Sequence, residues 1–166
     1  MDKKMFDKGM AIRRSVLGDA YVDRAVANMN DFNKPLQELV TQYCWGEVWG
    51  REGLSKRDRS LLNLGMISIL NRGHELKAHV RGALNNGLSR DEIREVLLQV
   101  AIYGGVPCAV DSFRLANEAF SDIDAEKAAK PAPKSVPKAA PKPAKAAKTK
   151  AEKPKSHKPK HGGGKK

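Results

Sequence analysis

Residues 72–87 read RGHELKAHVRGALNNG and decide the fold class. Their large apolar residues, Leu76, Val80 and Leu84, recur at the spacing of one face of an α-helix. Asn86-Gly87 follows, and these are the residue types with which helices commonly end in a left-handed conformation. The segment is therefore predicted to be an amphipathic helix.

The polar side of this helix carries a cation, a carboxylate and an imidazole. Arg72, Glu75 and His79 are spaced i, i+3 and i+7, which places them on one side, next to the apolar stripe. The border between a wet surface and a dry core is where the wall of a pocket lies. The same spacing is also typical of a solvated face on which Glu75 pairs with His79, and alone it favours that structural interpretation.

Helical spacing extends over most of the preceding and following sequence. Leu61–Leu70 is apolar nearly all round, which predicts a helix enclosed by other helices or by a second subunit. Ser89–Glu92 is a capping box that opens another helix. No stretch alternates with period two for long enough to predict a strand. An all-α fold is predicted, with further helices at about 3–15, 20–29 and 35–49, after Ser55–Asp58, and from Pro107.

The net charge of +12 is concentrated in the last part of the chain. Residues 1–126 hold 17 basic and 18 acidic residues, whereas residues 127–166 hold 14 lysines, one acidic residue and seven of the nine prolines. A segment so poor in apolar side chains cannot offset the entropy of ordering, so residues 127–166 are predicted to be a disordered tail. Residues 1–126 are predicted to form a single helical domain.

The tail resembles the C-terminal arms of linker histones and bacterial histone-like proteins. Lysine spaced by alanine and proline neutralises phosphates without reading bases. One expectation is therefore nonspecific, salt-dependent nucleic-acid binding through Lys134, Lys138, Lys142, Lys145 and Lys148. The alternative is a solvated appendage that contributes only to solubility or to loose association.

Cysteine spacing and hydropathy exclude several classes of protein. Cys44 and Cys108 belong to no Cys-x-x-Cys pair or metal-ligand cluster, and they are expected to be buried free thiols. No apolar run approaches the 18 residues of a membrane span, and the N-terminus lacks the apolar region of a secretory signal. A cytoplasmic protein without a metal site or a membrane segment is expected.

Several segments besides Glu75–His79 carry a resemblance to a known family. They are Gly9–Ala20, Phe32-Asn33, Trp45–Trp49, Arg59–Leu61, Asn85–Gly87 and Tyr103–Pro107. With them the chain resembles the 4-carboxymuconolactone decarboxylase family over residues 2–120. The N-terminal segment resembles the dedicated decarboxylases of the wider superfamily. That superfamily also contains thiol peroxidases with Cys-x-x-Cys-x-x-x-His. Here Arg72 and Glu75 stand where the two cysteines precede His79, which argues against disulfide chemistry.

The resemblance implies a helical subunit in a homo-oligomer, a trimer or a hexamer, without metal or organic cofactor. It also implies a substrate, 4-carboxymuconolactone, that is a small lactone with two carboxylates. The reaction releases one carboxylate as CO2 and yields the enol-lactone of 3-oxoadipate, a step of protocatechuate catabolism. The conjugated lactone carbonyl accepts the electrons left behind, which explains why no cofactor is required.

Such a reaction needs a proton donor, a partner for the oxyanion and anchors for the carboxylates. His79 is expected to supply the proton or a hydrogen bond, with Glu75 either orienting it or only pairing with it. Glu47, between two tryptophans, is a second acid/base candidate or a surface carboxylate. The expected substrate-binding residues are Arg51, Arg59, Arg72, Arg81, Trp45 and Tyr103. Of these, Arg81 alternatively serves the surface or an interface, and the aromatic residues alternatively pack in the core or at an interface.

A second function from another class stays open beside this one. In it the chain is a nucleic-acid-associated protein, and the helical domain is an assembly platform for the polycationic arms.

Overall fold

A computed structural model describes residues 2–129 of the chain. These residues fold into seven α-helices and one π-helix, and no strand occurs among them. In chain order the elements are α1 (Lys3–Leu17), α2 (Asp19–Ala27), α3 (Lys34–Leu39), the π-helix (Val40–Val48), α4 (Lys56–Ile69), α5 (Gly73–Asn85), α6 (Arg90–Tyr103) and α7 (Val106–Ala129). The predicted all-α fold is confirmed.

The predicted basic tail lies outside the described residues from position 130 onward, and so do its five candidate nucleic-acid contacts. The described part of the chain differs from the prediction at the boundary. Helix α7 continues through Ala129, so residues 127–129 are helical, although the sequence assigned them to a disordered segment. They are one lysine and two alanines, residue types that favour a helix wherever a preceding turn can nucleate it.

The local signals for helix ends operate as predicted. The Ser55 side chain accepts a hydrogen bond of 3.1 Å from the backbone N–H of Asp58 at the start of α4. Ser89 and Glu92 form a reciprocal capping box at the start of α6. Gly87 follows α5 with a φ of 88°, a left-handed conformation that glycine adopts without steric cost.

The third predicted helix, residues 35–49, contains a π-helical half that its spacing did not predict. From Val40 onward the helix is wider, and the N–H of Trp49 donates to the carbonyl of Cys44, five residues earlier, over 2.9 Å. The π-helix buries Thr41 and Trp45. Leu36, Leu39 and Tyr43, which recur at α-helical spacing in this segment, are all exposed.

The π-helix packs very closely against α1 because glycines stand at the contact. A Cβ atom on Gly9 of α1 would lie only 1.9 Å from the carbonyl oxygen of Thr41. A Cβ atom on Gly46 would lie 2.5 Å from the carbonyl oxygen of Met5. Any larger residue at these positions would force the two helices apart.

Two hydrophobic clusters form the core, and α5 contributes to both. The cluster among α4, α5, α6 and α7 includes Leu64, Leu76, Val80, Ile93 and Leu97. The cluster among α1, α2 and the π-helix consists of Val16, Leu17, Val22, Trp45 and Trp49, with Ala78 of α5 packed against it. Because α5 lies between the two clusters, its polar residues stand at the border of the core.

Helix α4 exposes part of its apolar surface within a single subunit. Leu64 is fully buried, whereas Leu62, Met66 and Leu70 are exposed. Together with α6, helix α4 borders a groove of about 680 Å³ with a largely apolar lining. The sequence predicted that this helix is enclosed either by other helices of the chain or by a second subunit. The other helices cover only part of it.

Both cysteines are free thiols, as predicted. Cys44 is exposed and Cys108 is half-buried, so the predicted burial was wrong for Cys44, which faces outward on the π-helix. Within residues 2–129, no helix has the length and apolarity that crossing a membrane requires.

Candidate active site

His79 lies against two tryptophans of the π-helix. Its ring is almost parallel to that of Trp45, at 6° with 6.2 Å between centroids, and it stacks on Trp49 at the same distance. The two indole rings contact each other with centroids 4.9 Å apart. Both tryptophans are buried, so the imidazole has an apolar wall on one side. This contact joins two segments that the sequence analysis had singled out separately.

The buried position of His79 shifts its protonation equilibrium. Burial lowers the pKa of the imidazole, and the nearby charge of Glu75 opposes this effect more weakly. Its Nδ1 atom is buried and has no hydrogen-bond partner among residues 2–129. His79 therefore favours the neutral form, with one nitrogen in a dry environment where an added anion would act strongly on it.

Glu75 stands one turn before His79 on α5, as predicted, and it is exposed. Its charge reaches His79, but none of the hydrogen bonds found within residues 2–129 holds the imidazole. Of the two roles that the sequence left open, the geometry corresponds to an electrostatic i,i+4 pair.

Glu47, Arg51 and Arg59 form a network where the π-helix ends. The Glu47 carboxylate lies 3.5 Å from the Arg51 guanidinium in a largely exposed ion pair. The Arg59 guanidinium donates to the backbone carbonyl of Arg51 over 3.3 Å. Its Nε is buried without a hydrogen-bond partner among residues 2–129. The network thus brings together one predicted acid/base residue and two predicted carboxylate anchors, close in sequence to Trp49.

Arg72 stands at the N-terminal end of α5 and not inside the helix that its spacing to Glu75 and His79 assumed. Helix α5 begins at Gly73, and Arg72 is its N-terminal cap, with φ −99° and ψ 76°. The Arg72 carbonyl accepts the first hydrogen bond of the helix, from the N–H of Leu76, but its own backbone angles are not helical, so the spacing alone does not give the direction of its side chain. Its side chain is exposed.

Arg81 is engaged elsewhere in the fold. Its guanidinium donates two hydrogen bonds, of 2.7 and 2.8 Å, to the carboxylate of Glu126 on α7. This two-pronged contact uses the geometry that a substrate carboxylate would need. The structure therefore does not bring Arg81 into the His79 cluster, and its contact matches the structural alternative stated above.

Tyr103 lies at the end of α6 and lines the groove between α4 and α6. Its side chain is 79% exposed, whereas the ring contacts of His79 are with the buried tryptophans. Within one subunit, Tyr103 is therefore part of an apolar surface groove and not of the His79 cluster.

The structure draws attention to one cation that the sequence analysis did not select. Arg13 on α1 is buried, and its Nη1 donates to Gln37 and to Thr41. The signal was present in the sequence, because Arg13 lies inside the Gly9–Ala20 segment that resembles the dedicated decarboxylases. Two consecutive arginines on one helix gave no indication of which one turns inward.

Comparison with known proteins identifies the fold family. The model of the carboxymuconolactone decarboxylase family matches residues 34–118, which include α3, the π-helix, α4, α5, α6 and half of α7. The chain belongs to the carboxymuconolactone decarboxylase family. The matched region includes Trp45, Trp49 and His79, whereas Arg13 precedes it.

Curated relatives in this family are named decarboxylases. A 4-carboxymuconolactone decarboxylase of Acinetobacter baylyi is 37% identical over 122 residues, 74% of this chain and 91% of the relative. A nitrosuccinic acid decarboxylase of Metarhizium robertsii is 41% identical over 123 residues, 74% of this chain and 86% of the relative. A 4-carboxymuconolactone decarboxylase of Pseudomonas putida is 48% identical over 46 residues, 28% of this chain and 96% of the relative. Relatives of this chain therefore differ in the substrate for which they are named.

Proposed function

We propose that the protein is a cofactor-independent decarboxylase of 4-carboxymuconolactone, acting in the cytoplasm on a step of protocatechuate catabolism. The observation that carries this proposal is the similarity to the Acinetobacter enzyme along 91% of that enzyme's length. The aromatic cluster around His79 supports it, because a dry imidazole suits a reaction in which negative charge moves from a carboxylate to a carbonyl oxygen.

The two compounds in the relatives' names share two carboxylates and an electron-accepting group. Each carries a carboxylate that can leave as CO2 and a second carboxylate that remains. In the lactone, the electron pair of the broken C–C bond flows through the ring double bond into the lactone carbonyl. In nitrosuccinic acid, the adjacent nitro group accepts it. The substrate thus supplies the electron sink, and the protein must orient a dianion and return one proton.

His79 is the proposed proton donor. In the resting protein its imidazole favours the neutral form because the tryptophans exclude water. A bound dianion beside it favours the protonated form, so substrate binding itself charges the acid. After CO2 leaves, His79 protonates the ring carbon next to the lactone carbonyl, and the enol-lactone is formed. Glu75 stabilises the imidazolium in the interval.

Arg51 and Arg59 are proposed to hold and polarise the lactone end of the substrate, and Glu47 is proposed to pair with Arg51 until the substrate binds. The exposed Glu47–Arg51 pair is weak, so a substrate carboxylate can replace Glu47 as the partner of Arg51. The partnerless Nε of Arg59 offers a second donor nearby. A role for Arg72 in the same pocket requires a movement of its exposed side chain.

A homo-oligomer of this chain, a trimer or a hexamer, is part of the same proposal. The groove between α4 and α6 is apolar, and Met66, Ile69 and Tyr103 are exposed along it. A contiguous apolar surface of this kind on a small domain is typical of a subunit interface. A second copy of the chain is its proposed occupant.

The test is a decarboxylation assay with the purified full-length chain. Freshly generated 4-carboxymuconolactone is added, and both its disappearance and the release of CO2 are followed. Stoichiometric CO2 without added metal or cofactor is expected. Nitrosuccinic acid serves as the parallel substrate. If folded protein decarboxylates nitrosuccinic acid and leaves the lactone intact, the lactone assignment is refuted.

The lysine-rich tail favours a second property, nonspecific nucleic-acid binding. Fourteen lysines after residue 126 produce a local charge of +13. We expect the full-length chain to bind duplex DNA with an affinity that falls steeply as salt increases. Replacement of Lys134, Lys138, Lys142, Lys145 and Lys148 by Gln should weaken this binding without changing decarboxylation. Equal DNA affinity of the two proteins at low salt would refute this role.

A further inference from the structure

Arg13 is a buried cation without a counter-ion. Only 7% of the residue is exposed. Arg13 takes part in none of the ion pairs found within residues 2–129. Its neighbour Arg14, by contrast, pairs with Asp19 at 3.1 Å and with Asp23 at 2.8 Å. A buried charge without an anion is costly, and proteins rarely retain one that serves only packing.

The surroundings of Arg13 hold its guanidinium but do not neutralise it. Nη1 donates to the side-chain oxygen of Gln37 over 3.1 Å and to the hydroxyl of Thr41 over 3.2 Å. Burial lowers the pKa of Arg13, and within residues 2–129 the groups that oppose this electrostatically are the phenol of Tyr21 and the thiol of Cys44. Phenols and thiols are ordinarily neutral at pH 7. The site therefore fixes the orientation of a cation and leaves its charge uncompensated.

One edge of the guanidinium makes no hydrogen bond within residues 2–129. Both hydrogen bonds of Arg13 within residues 2–129 come from Nη1, and the buried Nε has no partner there. Nε and Nη2 form the side of the guanidinium that donates two parallel hydrogen bonds to one carboxylate. The hydrogen bonds to Gln37 and Thr41 hold this edge in place before any ligand arrives.

The position of Arg13 relates this edge to the candidate active site. Thr41, which accepts from Arg13, lies on the π-helix about one turn before Trp45, and the ring of Trp45 stacks on His79. The same π-helix thus orients the guanidinium and forms the aromatic wall of the imidazole.

We propose that the Nε–Nη2 edge of Arg13 is the anchor for the carboxylate that the substrate retains, and that it selects dicarboxylates over monocarboxylates. This assignment rests on the proposed decarboxylase function. It accounts for the shared feature of the two compounds in the relatives' names, which differ in their electron sink but both keep one carboxylate after CO2 is lost.

The test uses succinate, a dicarboxylate with no electron sink, so that binding is measured without turnover. Titration at constant ionic strength should raise the melting temperature of the full-length protein. Arg13→Met should abolish this shift, whereas Arg14→Met, which removes the same charge from a neighbouring position, should keep it. A succinate-induced shift of equal size in Arg13→Met would overturn the proposal.

Turnover and unfolding measurements separate anchoring from a structural role. For the lactone, Arg13→Met should raise KM by about 10- to 100-fold, as expected for a lost charge-assisted contact, with a smaller effect on kcat. Arg13→Lys should restore part of the affinity. Without ligand, Arg13→Met should unfold at no lower urea concentration than the wild type, because a buried uncompensated charge is removed. A large loss of stability with an unchanged KM would overturn the proposal.

A measurement on the wild-type protein covers the case in which Arg13→Met fails to fold. The Nε–H signal of Arg13 in a ¹H–¹⁵N spectrum is identified by its absence in Arg13→Lys. This signal should move when succinate is added. A signal that does not move refutes the anchor. If this signal moves but the lactone is not decarboxylated, the carboxylate anchor stands and the proposed reaction fails. If the lactone is decarboxylated with the same KM by Arg13→Met, the reaction stands and the anchor fails.

Discussion

The imidazole of His79 is the residue on which the proposed chemistry depends most. Its ring packs against two buried indoles, and burial lowers the pKa of the imidazole. The spacing on α5 predicted that His79 lies next to the apolar stripe, at the border of the core, and its half-buried position confirms this. The tryptophans that define its environment came from another segment, 30 or more residues earlier in the chain.

Replacement of His79 tests the proton-donor role. His79→Ala should lower kcat for lactone decarboxylation by ~10²-fold or more, because positioned proton transfer contributes about this much to a rate. Glu75→Gln should lower it far less, since Glu75 acts only through its charge. Both variants are assayed at equal concentrations of correctly assembled protein. An unchanged kcat in His79→Ala would remove His79 from the mechanism.

Burial of His79 also makes a prediction about stability and pH. Because burial lowers the pKa of His79 in the folded state, the unfolded chain binds more protons between that pKa and the ordinary value of about 6.5. Stability therefore falls as pH drops through this window, and it levels off below the folded pKa. His79→Gln should lack this contribution.

The measurement is urea unfolding of the wild type and of His79→Gln from about pH 8 to pH 5. The difference in unfolding free energy between the two proteins cancels the other titrating groups. It should shift in favour of His79→Gln as pH falls. A difference that is independent of pH, or that shifts toward the wild type at low pH, contradicts the assigned protonation state.

At the scale of elements, the contact between α1 and the π-helix positions the site. Gly9 and Gly46 allow the two backbones to approach, and this approach places Arg13 against Thr41. The widened helical turn directs Trp45 and Trp49 inward and Cys44 outward. Close packing of these two elements is thus a condition for both candidate charge sites.

Gly9→Ala should disturb this contact. The added methyl would meet the Thr41 carbonyl at 1.9 Å, so the helices must separate, at a cost of about 3 kcal/mol. Gly53→Ala is the matched control, because a Cβ atom at Gly53 meets nothing within 4 Å, and its effect should stay within about 0.5 kcal/mol. Urea unfolding measures the stability of both variants, and the fluorescence of Trp45 and Trp49 reports the transition. Equal midpoints for the two variants would mean that α1 and the π-helix are less tightly packed than described.

At the scale of the whole molecule, the exposed apolar groove between α4 and α6 is the proposed interface between copies of the chain. A second copy of the chain is its proposed occupant, because such a contact would remove apolar area from water on both sides. The helix that the sequence predicted to be enclosed is the one that borders this groove.

Met66→Glu should dissociate the proposed oligomer, because each interface would have to bury an uncompensated carboxylate. Light scattering after size-exclusion chromatography should give an oligomer for the wild type and a smaller species for Met66→Glu. Phe32→Glu is the control: Phe32 is 96% exposed and is not among the residues that line the groove. Identical masses for all three proteins would refute the groove as an interface.

The fold was predictable because its signals are local. Helical spacing, the caps at Ser55 and Ser89 and the stop at Gly87 each depend on residues within one or two turns, so they can be read without knowing the partners. Helix α7 continues past residue 126 through Ala129, because helix propagation needs no apolar contact.

Helical spacing in the sequence by itself determined the all-α class, and composition determined the contrast between a balanced domain and a basic tail. The motifs determined the resemblance that the family match later confirmed. Only the tertiary structure decided which side chains meet: Trp45 and Trp49 at His79, Arg81 at Glu126, and Arg13 in a buried site without an anion. The physical reason is that burial and pairing depend on neighbours distant in sequence. Helical spacing gives the direction of a side chain on its own helix, but not what the other helices place against it.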